Sequence, residues 1–203
     1  MNVKGNNNVY SSNSYLIMGD WKRIEDVNTL IDVGNDPSIL NALQKIPAGV
    51  GKNKVDQVVL THNHSDHTGI LAMIRKVFNP RVCAFSPFFE GVDHILKDGE
   101  ILLCGDSTLE VIHTPGHTED SISLYNEKEG ILFVGDSPII IRSEGGTYDE
   151  DFIKTLKRLC RKNIQAIYFG HGEPILDGAY HLLKESLKNV ETSVKPGSLT
   201  DSN

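Results

Sequence analysis

The sequence has 203 residues, of which 39% are hydrophobic and 23% are charged, and its formal net charge is −7. That length and composition are typical of one globular domain with a buried core and exclude disordered and fibrous chains. The acidic balance argues against nucleic acid as a partner, because a phosphate backbone calls for a basic face. No apolar run approaches the roughly eighteen residues of a membrane span, so we expect no membrane partner either.

Cysteine usage and the N-terminal segment bear on the cellular compartment. Cys83, Cys104 and Cys160 stand far apart and form neither a CxxC motif nor a disulfide framework, as is usual in a reducing environment. The polar segment from Met1 to Ser14 lacks the apolar stretch of a signal peptide. These features predict a cytoplasmic protein.

The first half of the chain predicts strands that alternate with helices. Runs of β-branched and aromatic residues predict strands over 14–18, 29–33, 55–61 and 81–85. One helix is expected to begin at Asp36-Pro37 and to stop before Pro47, and another to span Thr68 to Phe78. The run Val58-Val59-Leu60 does not alternate, which is typical of a strand covered on both faces.

The second half predicts two hairpins, two helices and a last strand. The hairpins span 100–113 and 121–135, helices begin near 149 and after Asp177, and the strand between them covers 164–169. Tyr180, Leu183, Leu187 and Val190 are predicted to share the buried face of the final helix. Segments 86–98 and 138–150 are expected to be irregular. This order indicates an α/β protein with two packed sheets flanked by helices, as one domain over 1–191 with a disordered tail over 192–203.

The most polar cluster of the chain follows the strand that ends at Thr61. Three histidines and one aspartate occupy the six positions from His62 to His67. Imidazole nitrogens and carboxylate oxygens are donors that divalent zinc, iron or manganese prefer. In extended backbone His62 and His64 point the same way, whereas Asp66 and His67 leave in another direction once the chain turns into a helix. The segment therefore offers two pairs of ligands, which suits two neighbouring metals.

Further polar residues follow the ends of other predicted strands. His117, Asp136 and His171 each stand where a strand stops, as His62 does. Loops at one edge of a rigid sheet core are where such folds build their sites. We therefore expect these side chains to meet at one edge of the molecule.

Four motifs in this order resemble those of the metallo-β-lactamase-fold hydrolases, particularly the glyoxalase II-like branch. They are His62-x-His64-x-Asp66-His67, Thr114-Pro115-Gly116-His117, Gly135-Asp136-Ser137 and Gly170-His171-Gly172. Asp32-Val33-Gly34 is similar to the family's Asp-x-Gly strand end beside the site, and the likeness runs from about Ser12 to Val190. The resemblance implies an αββα sandwich of two mixed β-sheets flanked by helices, with a metal site in the cleft along one edge of the sheets.

The resemblance also implies a role for each motif residue. His62, His64 and His117 would hold one metal, Asp66, His67 and His171 a second, and Asp136 would bridge the two. The implied cofactors are two divalent metal ions, zinc first, with iron or manganese as alternatives. Asp66 would in addition act as the catalytic carboxylate that orients the nucleophile. Asp32 and His113 are expected to support the ligands, and simple packing is the other interpretation of His113.

The implied activity is metal-dependent hydrolysis. A metal-bridged hydroxide would attack a small thioester, lactone or similar ester-like substrate. Two alternatives stay open: a mononuclear iron enzyme resembling the persulfide dioxygenases, which would use His62, His117 and Asp136, and a non-catalytic metal-binding protein. The expected partner is a small-molecule substrate whose pocket is shaped by 87–94 and 138–148, and a homodimer is a further option.

The remaining candidate groups have plainer interpretations. His94 and His181 are expected to be exposed without a functional partner. Cys83 and Cys160 are interpreted as small core residues. The basic cluster over 154–162 is expected to be the solvated face of a helix.

Overall fold

The computed structural model describes residues 1–3, 5 and 9–193. In this part of the chain two β-sheets lie face to face, and helices cover the outer side of each. Three apolar clusters hold these layers together, one between the sheets and one between each sheet and its helices. This order of layers confirms the predicted αββα sandwich.

The first sheet contains six strands that follow one another in chain order. They are β1 (Asn2–Val3), β2 (Ser14–Ile17), β3 (Thr29–Ile31), β4 (Gln57–Val59), β5 (Arg81–Ala84) and β6 (His94–Ile95). β1 to β3 pair antiparallel, whereas β3 to β6 pair parallel. The carboxyl ends of these four parallel strands therefore meet at one edge, where the connections that follow them can form a site.

Helices cover the outer face of this first sheet. They are α1 (Ser38–Lys45), the short α2 (Ser65–Thr68) and α3 (Leu71–Phe78). Successive residues of β4 and its neighbours point to opposite faces, as the pleat requires. Leu30, Val58 and Val82 pack toward these helices, and Ile31, Val59 and Cys83 pack toward the second sheet. Burial on both faces explains why β4 shows no polar alternation.

The second sheet has five strands in the order β11-β10-β9-β8-β7. They are β7 (Ile101–Cys104), β8 (Ser107–His113), β9 (Ile122–Asn126), β10 (Ile131–Phe133) and β11 (Ala166–Tyr168), covered by α4 (Glu150–Leu159) and α5 (Ala179–Ser193). β7 to β10 pair antiparallel and β11 joins β10 in parallel. Both predicted hairpins are confirmed, and β10 and β11 end at the same edge.

Two predicted helices differ in detail from the observed ones. The helix expected over 68–78 begins at Leu71 as α3, and the short α2 before it ends at Thr68. The two are separated at Ile70, whose φ of −98° and ψ of 14° are not helical. On α5 Tyr180 is 39% exposed, and the buried face instead runs through Ala179, Leu183 and Val190. At 100° per residue those positions share one side of the helix and Tyr180 does not.

The structure also revises two predicted boundaries. Strand β6 lies within the stretch expected to be irregular. Helix α5 continues to Ser193, beyond the expected start of the tail at 192, and the rest of that tail, 194–203, lies outside the described residues. No helix in the described part of the chain is long and apolar enough to cross a membrane.

All three cysteines are buried and free. Burial raises the pKa of the Cys83 thiol to about 11 and that of the Cys104 thiol to about 12. Thiols with such values carry little thiolate near neutral pH, so they are poor nucleophiles and ligands. The interpretation of Cys83 and Cys160 as core residues is confirmed.

The start of α4 provides a test of this fold. The Asp149 side chain accepts a hydrogen bond of 2.7 Å from the backbone N–H of Phe152, which caps the helix. We expect Asp149→Ala to lower the free energy of unfolding by about 1 kcal/mol, as measured by urea denaturation. Asp149→Asn is the matched control, because asparagine caps equally well and should preserve stability. Equal losses in both variants would contradict the capping role.

Candidate metal centre

Seven predicted ligands come together at the edge where the parallel strands end. They form two groups, within each of which the ligating atoms lie within 4.8 Å of one another. The first group is His62, His64 and His117, and the second is Asp66, His67, Asp136 and His171. They project from the β4–α2 connection, from α2 and from the loops after β8, β10 and β11. Residues far apart in sequence therefore meet because their strands end at one edge.

The first group presents three imidazole rings to one point. The ring centroids of His62, His64 and His117 lie 4.7 to 4.8 Å apart, and His117 Nε2 lies 3.0 Å from His64 Nδ1. His62 is buried, whereas His64 and His117 reach solvent. Burial lowers the pKa of His62 to about 4, with the neighbouring His67 acting in the same direction. This imidazole therefore stays in the neutral form that can bind a metal.

The second group combines two imidazoles with two carboxylates. His171 Nε2 lies 2.8 Å from Asp66 Oδ2, and His67 Nε2 lies 3.8 Å from the same oxygen. His67 Nε2 is also 3.2 Å from Asp136 Oδ1. Such mixed nitrogen and oxygen donors suit zinc, iron or manganese.

Asp136 lies between the two groups. Its Oδ2 is 3.6 Å from His117 Nε2 in the first group and 3.6 Å from His171 Nε2 in the second. Its Oδ1 faces His67. One carboxylate thus reaches both groups, which is the position that a bridging ligand requires.

Asp32 fixes the orientation of His67 from behind. It is 2% exposed and accepts a 2.8 Å hydrogen bond at Oδ2 from His67 Nδ1. It also accepts 2.8 Å bonds from the Thr61 hydroxyl and the Thr61 backbone N–H. Because Nδ1 gives its proton to this carboxylate, His67 presents the lone pair of Nε2 to the site. The predicted supporting position of Asp32 matches this geometry.

The same hydroxyl orients His62. Thr61 Oγ1 donates to Asp32, so it can act only as an acceptor toward His62 Nδ1, which lies 3.1 Å away. The proton of His62 is therefore on Nδ1, and Nε2 carries a lone pair. Asp32 in this way sets the tautomers of two histidines in different groups.

Three buried atoms at the centre reveal what the site accommodates. His62 Nε2, His67 Nε2 and Asp136 Oδ1 have no hydrogen-bond partner among the described residues. The tautomers above make all three acceptors, and buried acceptors facing one another repel unless a cation lies near them. Burial alone lowers the pKa of His67, but the Asp32 and Asp136 carboxylates outweigh it and raise that pKa to about 10. The same carboxylates that favour a proton on His67 would also favour a metal ion beside it.

Glycines allow the strand ends to approach this closely. A Cβ at Gly170 would lie 2.2 Å from Asp136 Oδ1 and 2.5 Å from His67 Cε1. Gly135 has a φ of +53°, and its Cβ would lie 2.5 Å from Thr61 Oγ1. The glycine that precedes the ligand in Gly135-Asp136 and in Gly170-His171 therefore has a steric reason.

His113 does not take the supporting position expected for it. Its ring stacks on Phe85 at 4.3 Å, and its Nε2 lies 2.8 Å from the carbonyl oxygen of Glu119. These contacts correspond to the alternative interpretation, a packed histidine. The residue lies at the end of β8, and sequence spacing from His117 did not reveal which neighbours its ring would meet.

Two other surface expectations are also revised. His94 is paired with Glu100, because the chain entering β7 passes beside β6. Within the basic cluster of α4, Arg158 pairs with Asp98 and Glu110, and Lys162 with Glu110. These two cations are engaged in ion pairs rather than simply solvated. His181 is exposed, as expected.

Tyr10 is a site residue that sequence reasoning missed. Its ring stacks on His171 with centroids 5.0 Å apart, and its hydroxyl lies 3.5 Å from His171 Nε2. The backbone that follows is held by the bonds Ser12 N to Asp66 O and Asn13 N to Gly170 O. Tyr10 is nevertheless 75% exposed, so it stands at the mouth of the site. A tyrosine in a polar segment before β2 carries no signal for this contact.

Comparison with known proteins identifies related chains. Residues 7–171 match the sequence profile of the Metallo-beta-lactamase superfamily. The chain is 31% identical over 190 residues to a beta-lactamase-like protein 2 homolog of Caenorhabditis elegans, covering 88% of this chain and 61% of that protein. It is 36% identical over 108 residues to a probable hydroxyacylglutathione hydrolase of Schizosaccharomyces pombe, covering 50% and 42%. The chain thus spans 42% to 61% of the lengths of these relatives.

A solved structure supports the fold assignment. The metallo-beta-lactamase family protein TTHA1429 from Thermus thermophilus superposes with a TM-score of 0.63 at 24% identity. The match covers 89% of this chain and 75% of that one. At this identity the likeness concerns the fold alone.

The role of Asp32 can be tested by metal titration. Asp32 has a φ of +53°, which asparagine tolerates, so Asp32→Asn should preserve the backbone and remove the charge. We expect metal affinity to fall about 10- to 100-fold, measured by competition with a chelator. His113→Gln is the control and should leave affinity unchanged. Equal affinities of Asp32→Asn and the unsubstituted protein would contradict the role assigned to Asp32.

Proposed function

The chain belongs to the metallo-beta-lactamase superfamily, and from its site we propose that it is a hydrolase that requires two divalent metals and cleaves a small thioester, lactone or similar ester. The observation that carries this proposal is the position of Asp136. Its Oδ2 lies 3.6 Å from a histidine of each ligand group. A shared carboxylate between two ligand groups is suited to holding two metals side by side.

The proposed ligands divide as the geometry divides them. His62, His64 and His117 would hold the first metal, Asp66, His67 and His171 the second, and Asp136 both. Zinc, iron and manganese accept these donors, and the preference for zinc stays a prediction. When bound, such metals lower the pKa of a coordinated water toward neutrality and polarise a carbonyl oxygen.

Within this scheme Asp66 is the proposed catalytic carboxylate. One of its oxygens, Oδ2, lies 2.8 Å from His171 Nε2, and the side chain is only half-buried. Its second oxygen can therefore accept a hydrogen bond from the attacking water and orient it. His67 is held in its orientation by the 2.8 Å hydrogen bond to Asp32.

The surroundings of the centre fit a small substrate. A cavity of about 320 Å³ opens beside His117, Asp136 and His171. That volume is near the lower end of the range for small-molecule sites. The yeast relative, a probable hydroxyacylglutathione hydrolase by name, supports a thioester as the first substrate class to test.

The second ligand group distinguishes the two-metal hydrolase from the mononuclear iron alternative. A mononuclear iron enzyme would need only His62, His117 and Asp136, whereas Asp66, His67 and His171 are also gathered at one point. This second group favours the two-metal hydrolase over the mononuclear iron dioxygenase. The homodimer and the cytoplasmic location stay predictions.

Metal analysis tests the proposal directly. We expect about two zinc ions per chain in protein purified without added metal, and metal-dependent cleavage within a panel of thioesters and lactones. One iron per chain together with oxygen consumption on sulfur substrates would replace the hydrolase by the persulfide-oxidising alternative. Metal that binds without any turnover would favour the binding protein.

Removing the Asp136 carboxylate should impair both metal binding and turnover. We expect Asp136→Ala to lower metal content below two per chain and to reduce kcat by about 100-fold or more, since a ligand matters at least as much as the groups that support it. Asp177→Ala, at an exposed aspartate before α5, is the matched control. Full metal content with normal turnover in Asp136→Ala would exclude the bridging role.

A further inference from the structure

Building on the proposed function, we propose that the site selects substrates whose acyl group is an uncharged hydrocarbon chain. The acyl chain of the substrate would bind against an apolar wall formed by Pro138, Ile140 and Phe169. In the reaction, the acyl carbon–sulfur or carbon–oxygen bond breaks, a bond to water oxygen forms, and the water proton passes to the leaving thiolate or alkoxide. The products are a carboxylic acid and a thiol or alcohol.

The cavity beside the metal centre is lined by two chemically different sets of residues. One set is His117, Asp136 and His171 of the candidate metal centre. The other includes the three residues of the apolar wall. Ile140 and Phe169 are half-buried and pack on the apolar cluster beneath α4 and α5, so their remaining surface faces the cavity. The acyl group of a substrate bound at the metal centre would therefore extend along a hydrocarbon surface.

Charge points the same way. Among the described residues that line the cavity, the ionisable groups are those of the metal centre, and none is Lys or Arg. Arg142, the cation nearest to the wall in sequence, is exposed and does not line the cavity. An acyl group ending in a carboxylate would lose its hydration against the wall without gaining a cationic partner. The wall therefore disfavours acidic acyl groups.

The wall is anchored at both ends. Before it, Ser137 Oγ lies 2.9 Å from Thr114 Oγ1 and 3.2 Å from the Thr114 carbonyl oxygen. After it, the Ile141 N–H donates to Ser186 Oγ at 2.8 Å, and Asn189 Nδ2 donates to the Ile141 carbonyl at 2.8 Å. Ser186 and Asn189 are polar residues on the buried face of α5, and these bonds explain their position. A surface fixed in this way is preformed for a ligand.

Acyl-chain length provides the first measurement. With metal-loaded enzyme and one common thiol, we expect kcat/KM to rise about three- to fourfold per methylene from acetyl to hexanoyl, the factor expected for burying a methylene. Butanoyl thioester should be cleaved about 100-fold faster than succinyl thioester, which has the same chain length but ends in a carboxylate.

Variants of Ile140 assign this selectivity to the wall. Ile140→Asn should flatten the length series while the metal content stays unchanged. Ile153→Asn, at a half-buried isoleucine of α4, is the matched control and should keep the series. Ile140→Lys should raise the succinyl rate relative to the butanoyl rate, a gain that misfolding cannot produce.

Binding gives a readout that does not require turnover. Hexanamide, a neutral analogue of the acyl end, should bind the metal-loaded protein about tenfold more weakly in Ile140→Asn, as measured by calorimetry.

The two proposals can fail separately. Hydrolysis without dependence on chain length, or a preference for the succinyl thioester, would overturn the apolar wall and leave the hydrolase standing. Absence of all hydrolysis would overturn the hydrolase, and hexanamide binding that is equal in Ile140→Asn and the unsubstituted protein would then overturn the wall as well.

Discussion

The metal centre depends on a buried carboxylate that carries no ligand role itself. Asp32 accepts hydrogen bonds from His67 Nδ1, the Thr61 hydroxyl and the Thr61 backbone N–H. A buried charge is costly unless donors surround it, and these donors all belong to the connection that carries the ligands or to α2. The constraint therefore runs in both directions, since the loop satisfies the carboxylate and the carboxylate fixes the tautomers of His62 and His67. Without it, His62 and His67 could each present a ring N–H to the place proposed for a metal ion.

The sandwich brings the remaining ligands to this point by the way its strands end. β3 and β4 end together in the first sheet, and β10 and β11 end together in the second. The backbone at this edge is packed so closely that a Cβ at Gly170 would overlap with Asp136, which follows a strand of the same sheet, and with His67 of α2. Neighbouring backbone bonds, from Gly170 N to Gly135 O and from Asn13 N to Gly170 O, hold this approach in place. The cleft is thus a property of the sheet edges, and the ligands are inserted where the backbone allows contact.

The fold and the candidate ligands could be predicted from the sequence because both are visible in short stretches of neighbouring residues. Hairpin turns, strand runs and polar residues at strand ends are read from neighbouring positions. The break between α2 and α3 was missed because Ile70 fits the apolar period of a continuous helix, and its non-helical φ and ψ carry no local signal. The contacts of His113 with Phe85 and of Tyr10 with His171 are tertiary. The identity of the metal stays beyond the sequence for a different reason, since zinc, iron and manganese accept the same donors.

Because the apolar wall is anchored to α5, the residues that position it differ from the residues proposed to bind the metals. The ligands of the centre lie on the strand-end loops and α2, whereas the backbone beside Ile140 is positioned by Ser186 and Asn189 on α5. Exchanges on one face of that helix can therefore reshape the proposed apolar wall without replacing any proposed metal ligand. With such an arrangement, substitutions on α5 can change substrate preference during evolution while the proposed metal ligands are retained.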